Sequence, residues 1–209
     1  MPVPRVLICA GSMADRATYV AFLRGINVGG NARILMADLR RIVESLGHTD
    51  VATYIQSGNV VFTTARAGDA KDDDVATEDS AADDDLAAAI QAAIGGRLGL
   101  DIDVMVRSAA ELAQAAEANP FPTAVPKRLL LVFLSERPSE EARAAFAAVD
   151  AAPEAAVVTD RTAYLHVPDG IGRAVLPTIL ERRLKVRGTA RNLDTVRAVL
   201  ALAHDSVAQ

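Results

Sequence analysis

Two hydrophobic periods alternate along the first third of the chain. Residues 18–24 have the two-residue period of a strand, and residues 34–46 repeat their apolar positions every three or four residues, as a helix does. Residues 51–56 and 60–64 are rich in β-branched and aromatic side chains, and a Ser-Gly-Asn turn sequence separates them. This part of the chain is therefore predicted to form a strand, a helix and a β-hairpin.

The next segment completes a supersecondary pattern. Apolar residues recur at helical spacing from residue 86 to residue 98, and the acidic residues 83–85 stand in the predicted first turn, where negative charge suits the helix dipole. Residues 101–107 predict a strand, and Ser108 with Glu111 predicts a capping box that opens another helix. The order β-α-β-β-α-β is that of a ferredoxin-like unit, followed here by one extra helix.

The second half of the chain repeats this order. The predicted elements are a strand at 128–135, a helix at 139–149, strands at 155–159 and 162–167, a helix at 171–184, a strand at 186–189 and a helix at 193–203. We therefore predict an α+β fold made of a tandem repeat of two ferredoxin-like units with extra helices. The first unit would span residues 18–119 and the second residues 128–204, joined by a proline-marked linker at 120–127.

Two segments are expected to lie outside the repeat. Residues 1–17 are predicted to be a dispensable leader, because Met13 precedes the first strand and would serve as a start as well as Met1. Residues 65–83 are predicted to be an acidic disordered insert, since residues 66–85 hold nine Asp and Glu against two basic residues. The rest of the chain has 20 basic and 18 acidic residues, so no basic field favours nucleic acid.

Composition excludes several classes of protein. The single cysteine rules out a disulfide framework, and His48, His166 and His204 lack the spacing of metal ligands, so we expect neither a metal nor a cofactor. No apolar run has the length of a membrane span or of a secretory signal. A cytoplasmic protein without a membrane partner is the expectation, and the oligomeric state is left open.

The loop after the first strand, LRGINVGGNARI from residue 23 to residue 34, has the two-glycine spacing of a phosphate-binding loop. Asn31 and Ala32 stand where that motif needs Lys and then Ser or Thr, so a P-loop ATPase is not expected. Two interpretations remain. The loop presents backbone N–H groups to an anion, helped by Arg24 and Arg33, or its glycines only allow a tight turn.

Two other loops carry polar side chains. Ser57 and Asn59 flank the hairpin glycine, and their side chains either reach a ligand or serve the turn. Asn192 is placed to cap the last helix, and Arg191 just before it suits a carboxylate or phosphate, or a salt bridge between the two halves.

Three segments together resemble a known family. LRGINVGG at residues 23–30, TYIQSGNVVF at residues 53–62 and TARNLDTV at residues 189–196 are similar to the signatures of the bacterial domain of unknown function 1697. The resemblance covers roughly residues 18–203 and implies a tandem ferredoxin-like architecture with no established activity. Where that family has a basic run after its double glycine, this chain keeps only Arg33.

These observations predict a small anionic ligand, bearing phosphate or carboxylate, at loops between the two units. The expected ligand-binding residues are Arg24, Asn27, Gly29, Gly30, Arg33, Ser57, Asn59, Arg191 and Asn192. No acid–base pair stands out, so whether a reaction is catalysed is left open. One alternative is a single-stranded nucleic-acid module that stacks bases on Tyr19 or Phe22 and Phe62. The other is a structural or protein-interaction domain without a ligand, in which Arg191 has internal partners.

Overall fold

The computed structural model describes residues 16–29, 32–65 and 75–207, and the side chains of all of these except 75–80 and 206–207. Within these residues the chain folds into two four-stranded antiparallel sheets and six α-helices, an α+β architecture. The first seven elements, which we call the first unit, are β1 (Arg16–Leu23), α1 (Met36–Glu44), β2 (Thr49–Tyr54), β3 (Asn59–Ala65), α2 (Val75–Leu98), β4 (Val104–Ser108) and α3 (Ala109–Glu117).

The second unit contains the same kinds of element in the same order. A single 3₁₀ turn leads into it, and its elements are β5 (Leu129–Leu134), α4 (Glu140–Ala147), β6 (Ala155–Val158), β7 (Thr162–His166), α5 (Leu176–Leu184), β8 (Gly188–Asn192) and α6 (Leu193–Val207). The strand orders are β2-β3-β1-β4 and β6-β7-β5-β8, so the first strand of each unit lies between its third and its fourth.

Each sheet buries both of its faces, which is why its central strands are almost wholly apolar. In the first unit, Ala21 and Leu23 of β1 pack with α1 and α2, whereas Val20 and Phe22 point to the opposite face. The second sheet packs one face against α4 and α5 in the same way. The helices α1 and α2 therefore cover the outer face of the first sheet, and α4 and α5 cover the outer face of the second.

The two sheets share a central core. The rings of Phe22 and Phe133 stack at 4.3 Å between centroids and are inclined by only 8°, and α3 and α6 complete this core with Leu112, Leu193 and Val196. Since this core contains side chains from both units, burial of apolar surface holds the units together.

Helix α2 corrects the sequence-based expectation for the acidic insert. It begins at Val75, so residues 75–83 are helical rather than disordered, while residues 66–74 lie outside the described residues. Asp83, expected in a solvated first turn, is fully buried. The physical reason is a tertiary contact: Asp83 packs beside Arg107 and Arg161, which are distant in the sequence, and no local property of the acidic run reveals it.

The last helix–strand pair of the second unit also differs from the predicted boundaries. Instead of one helix at 171–184, a 3₁₀ turn at Ile171–Arg173 precedes α5, whose first turn contains Pro177. Lys185 ends α5 in a left-handed conformation, and β8 begins at Gly188 rather than at residue 186. The predicted capping box is confirmed: Ser108 Oγ accepts from the Glu111 amide, and the Glu111 carboxylate accepts from the Ser108 amide.

Candidate functional site

Arg191, on β8, is the centre of a hydrogen-bond network that joins the three sequence segments. Its side chain is 8% exposed and reaches from the second unit into the first. Its five nearest acceptors are the Asn59 amide oxygen, the Thr189 hydroxyl and the carbonyls of Ala190, Leu23 and Ser57. A guanidinium has five N–H donors, so these five acceptors satisfy all of them within the chain.

None of the acceptors of Arg191 is a carboxylate. Burial lowers the pKa of Arg191 to about 10, so the guanidinium keeps its charge at neutral pH, stabilised by carbonyl and amide dipoles. The ring of Phe22 lies 5.6 Å from the guanidinium carbon, in cation–π range. Arg191 therefore acts here as a buried connector between the two units.

Asn59 and Ser57 complete this network from the hairpin. Asn59 is fully buried at the start of β3, and its amide nitrogen donates to the Tyr54 carbonyl and to the Ser57 hydroxyl, both at 3.0 Å. Its amide oxygen accepts from Arg191. The structure thus brings Ser57, Asn59 and Arg191 together, as expected, but their side-chain polar groups bond to one another and to the backbone.

Asn192 caps the last helix. Its side-chain oxygen accepts from the Thr195 amide at 2.9 Å, which satisfies one of the unpaired donors at the start of α6. Asn192 was predicted either to cap the helix or to bind a ligand, and its observed hydrogen bond is that of a cap.

The glycine loop is closed by Asn27. Its amide nitrogen donates to the carbonyls of Ile34 and Gln56, and its amide oxygen accepts from the Ile34 amide. Gly29 has a φ of 63°, a conformation that glycine adopts without strain. Arg33 is exposed in this loop, and the predicted site residue Gly30 lies outside the described residues.

Arg24 lines a cavity. It follows β1, and its guanidinium forms a two-pronged ion pair with Glu181 of α5, with N···O distances of 2.9 and 2.8 Å. A cavity of about 290 Å³ lies beside this pair. Its other lining residues include Val132, Pro177, Leu180 and Ala190.

A second cavity, of about 500 Å³, also has Glu181 in its lining and is more strongly charged. Arg182, Lys185 and Arg187 line it together with Glu136 and Glu181. Arg187 pairs with Asp103, and Asp103 lies 3.8 Å from Arg24. A chain of alternating charges therefore runs along the junction between the units.

The aromatic side chains proposed to stack nucleic-acid bases are not exposed. Tyr19 is 7% exposed, and Phe22 and Phe62 are fully buried. The second sheet and the helices cover the two faces of the first sheet. The alternative prediction that nucleic-acid bases stack on these three rings is therefore wrong.

Sequence reasoning missed a second buried arginine cluster. Arg107 of β4 is 4% exposed and donates to the carbonyls of Leu134 and Arg161 in the second unit. The Asp83 carboxylate lies 3.9 Å from Arg107 and 3.8 Å from Arg161. Burial, and then the neighbouring Glu111 carboxylate, raise the pKa of Asp83 to about 8. The available signal was the repeated pair of an arginine and a helix cap, Arg107-Ser108 and Arg191-Asn192.

In the described ranges, no three His, Cys, Asp or Glu side chains are grouped so that they could hold a metal ion. None of the helices within those ranges combines the length and apolar composition that a membrane crossing requires.

Comparison with known proteins gives a fold and a family. No curated protein matches the chain. The conserved bacterial protein SP0830 from Streptococcus pneumoniae has a similar structure, with a TM-score of 0.67 over 90% of this chain and 99% of that one, at 19% sequence identity. A family model described as "Protein of unknown function (DUF1697)" matches residues 16–164, more than half of the 209 residues. The chain therefore belongs to the DUF1697 family of proteins of unknown function.

Proposed function

We propose that the protein binds a small anionic ligand, bearing a carboxylate or phosphate, at the junction of the two units beside Arg24. The observation that carries this proposal is the placement of the Arg24 guanidinium, 42% exposed, at the wall of a 290 Å³ cavity. Arg24 already holds a carboxylate there, that of Glu181. A partly exposed arginine fork beside a concave surface is suited to recognise a planar anion.

The other predicted site residues take supporting roles in this proposal. Arg191 donates to the Leu23 carbonyl and to the Asn59 amide oxygen, so it holds the end of β1 from which Arg24 projects. Asn27 bonds across the neighbouring loop, and Asn192, the last residue of β8, caps the start of α6. Direct ligand contacts by Gly29, Gly30, Arg33 and Ser57 stay predictions.

A ligand screen with matched arginine variants tests the proposal. Purified protein is screened by thermal shift against carboxylates, sugar phosphates and inorganic phosphate, and each hit is repeated with Arg24→Gln. A ligand at a hundred times its dissociation constant adds about 2.7 kcal/mol of stability, a readily measured shift. We expect Arg24→Gln to abolish the shift. Arg41→Gln is the control, because Arg41 is an exposed arginine that pairs with Asp38 on α1, and it should leave the shift intact.

Arg33→Gln separates the cavity from the glycine loop. A shift that survives Arg24→Gln but disappears in Arg33→Gln would move the site to the loop and contradict the role of Arg24. A shift that survives in both variants would contradict a role for either arginine.

A structural role without a ligand is the second candidate, and the internal bonding of Arg191 favours it. All five donors of this guanidinium have partners within the chain. This candidate predicts no thermal shift with any anion, together with a large fall in melting temperature for Arg191→Ala. A specific hit that depends on Arg24 would exclude it.

We further infer that the two units are ferredoxin-like repeats, as the sequence suggested. In support, both units have the order of elements β-α-β-β-α-β-α and place their strands in equivalent positions of the sheet. The cytoplasmic location expected from the sequence stays a prediction.

A further inference from the structure

The ion pair of Arg24 and Glu181 has the geometry of a ligand complex. Nε and Nη2 of Arg24 face Oε1 and Oε2 of Glu181 at 2.9 and 2.8 Å, so two nearly parallel hydrogen bonds join a planar guanidinium to a planar carboxylate. The Gly188 amide also donates to Oε1 at 3.1 Å. Arg24 is therefore oriented to receive a carboxylate at this position.

The cavity beside this pair differs chemically from a phosphate site. Arg24 is the one cationic side chain among its described lining residues. Thr178, Glu181 and Gly188 are its other polar lining residues, and Val132, Pro177, Leu180 and Ala190 supply an apolar surface. A phosphate dianion has more charge than one arginine balances, and the Glu181 carboxylate in the same lining would repel it. A singly charged carboxylate with an apolar tail matches both features.

The size of the cavity limits the ligand. About 290 Å³ is at the lower end of the range for small-molecule sites, so the ligand has a short tail. The side chains of Arg24 and Glu181 are 42% and 38% exposed, and an ion pair with such access to water is readily exchanged for another carboxylate.

We propose that the ligand is a small monocarboxylate with a short apolar tail, and that its carboxylate displaces Glu181 from Arg24. This inference rests on the proposed function, because it needs Arg24 to be the anion-binding residue. Glu181 is then a resident competitor that occupies the site in the absence of ligand. Its release would also remove the ion pair that links the end of β1 to α5 across the junction of the units.

A titration of the full chain tests this inference. ¹⁵N-labelled protein, in a buffer free of carboxylate and phosphate, is titrated with acetate, butyrate, hexanoate and inorganic phosphate, and dissociation constants are taken from shifts of the Gly188 amide. We expect affinity to rise by up to about fourfold for each added methylene until the cavity is full. Phosphate should bind more weakly than butyrate.

Variants separate the roles of the two charged residues. Glu181→Gln removes the competing carboxylate and should tighten butyrate binding about two- to fivefold, the equivalent of a weak exposed ion pair. Glu141→Gln is the control, because it removes one negative charge from an exposed position on α4 and should leave the dissociation constant unchanged. The ¹⁵N spectrum of each variant verifies that it is folded.

The possible failures are distinguishable. If anions bind through Arg24 but the affinity does not rise with tail length, or phosphate is preferred, or Glu181→Gln weakens butyrate binding, the monocarboxylate inference is overturned and the proposed function stands. If no anion binds, or Arg24→Gln leaves binding unchanged, both are overturned.

Discussion

Arg107 and Arg191 reach across the junction between the units in opposite directions, each to the last residue of the other unit's first strand. Nη2 of Arg107 donates to the Leu134 carbonyl at 2.7 Å, and Nη2 of Arg191 donates to the Leu23 carbonyl at 2.9 Å. Each arginine is the second-last residue of its unit's fourth strand, followed by a helix cap. The two contacts are thus equivalent in the repeated order of elements.

The surroundings of the two arginines differ in charge. Arg191 is bonded to neutral acceptors such as the Asn59 side chain, whereas Arg107 lies beside the Asp83 carboxylate and the guanidinium of Arg161. Because a buried arginine without an ionised counter-ion depends wholly on its hydrogen bonds, the Arg191 contact should be sensitive to the geometry of its acceptors.

Replacing Arg191 should destabilise the fold strongly. Arg191→Met retains much of the aliphatic volume but leaves the Asn59 side chain and the Leu23 and Ser57 carbonyls with fewer donors, and a buried unsatisfied polar group costs about 1–3 kcal/mol. We expect the free energy of unfolding to fall by about 3 kcal/mol or more, measured by urea denaturation. Arg197→Met, at an exposed position of α6, should change it by less than about 0.5 kcal/mol. Equal effects of the two substitutions would contradict the role of Arg191 as a buried connector between the units.

Titration of the buried Asp83 should make the free energy of unfolding depend on pH. The pKa of Asp83 is raised to about 8 in the folded protein, first by burial and then by Glu111, while Arg107 and Arg161 oppose the rise. Between about pH 4 and pH 8 the folded protein holds a proton on Asp83 that the unfolded chain does not, so stability falls as pH rises through this window. The slope from this one group is at most about 1.4 kcal/mol per pH unit.

Asp83→Asn should remove this contribution, because an amide does not titrate. Urea denaturation of the wild type and the variant at pH 5, 6.5 and 8 gives the comparison, and the difference in stability should shift in favour of the variant as pH rises. Asp38→Asn is the control, since Asp38 pairs with Arg41 at the surface. Parallel pH profiles for the wild type and Asp83→Asn would show that Asp83 does not titrate in this window.

Elements that depend on local sequence were predictable, and contacts between distant residues were not. The hairpin of β2 and β3 was visible because alternation and turn residues are local, and Ser108 was visible because its partner Glu111 is three residues away. The burial of Asp83 depends on Arg161, which is far along the chain and belongs to the other unit.

The candidate site shows the same division. The three segments that resemble the family predict that Ser57, Asn59 and Arg191 cluster. The sequence does not reveal whether their polar atoms face a ligand or one another. The charge of Arg24 and its place after β1 indicate a site residue, whereas its partner Glu181 lies in a helix with no distinctive motif. Side-chain direction across a domain junction is a tertiary property, and neither periodicity nor composition encodes it.

The side-chain caps of α3 and α6 should contribute similar amounts to the free energy of unfolding. Asn192→Ala and Ser108→Ala each remove the side-chain acceptor at the start of a helix, at α6 and α3 respectively, and each should cost about 1 kcal/mol in urea denaturation. Asn192→Asp retains a capping oxygen and should remain close to the wild type. If Asn192→Asp were as destabilising as Asn192→Ala, the amide group rather than the cap would be the important feature.

Gly58 should tolerate no side chain, because its backbone conformation and its surroundings both require glycine. Its φ is 74°, and a Cβ atom there would lie 2.7 Å from Ile26 Cδ1 and 2.8 Å from Leu23 Cβ. We expect Gly58→Ala to destabilise by about 2 kcal/mol or more, since the left-handed conformation and the overpacking each add a cost.

Gly96 of α2 provides the opposite case. A Cβ atom there meets nothing within 4 Å, and its φ is not positive. Gly96→Ala should therefore stabilise the protein by about 0.5–1 kcal/mol through helix propensity. Thermal and urea denaturation of both variants would give shifts of opposite sign. A neutral Gly58→Ala would mean that Leu23 and Ile26 move aside easily, and the end of β1 that presents Arg24 would then be less rigid than its contacts with Arg191 and Asn59 imply.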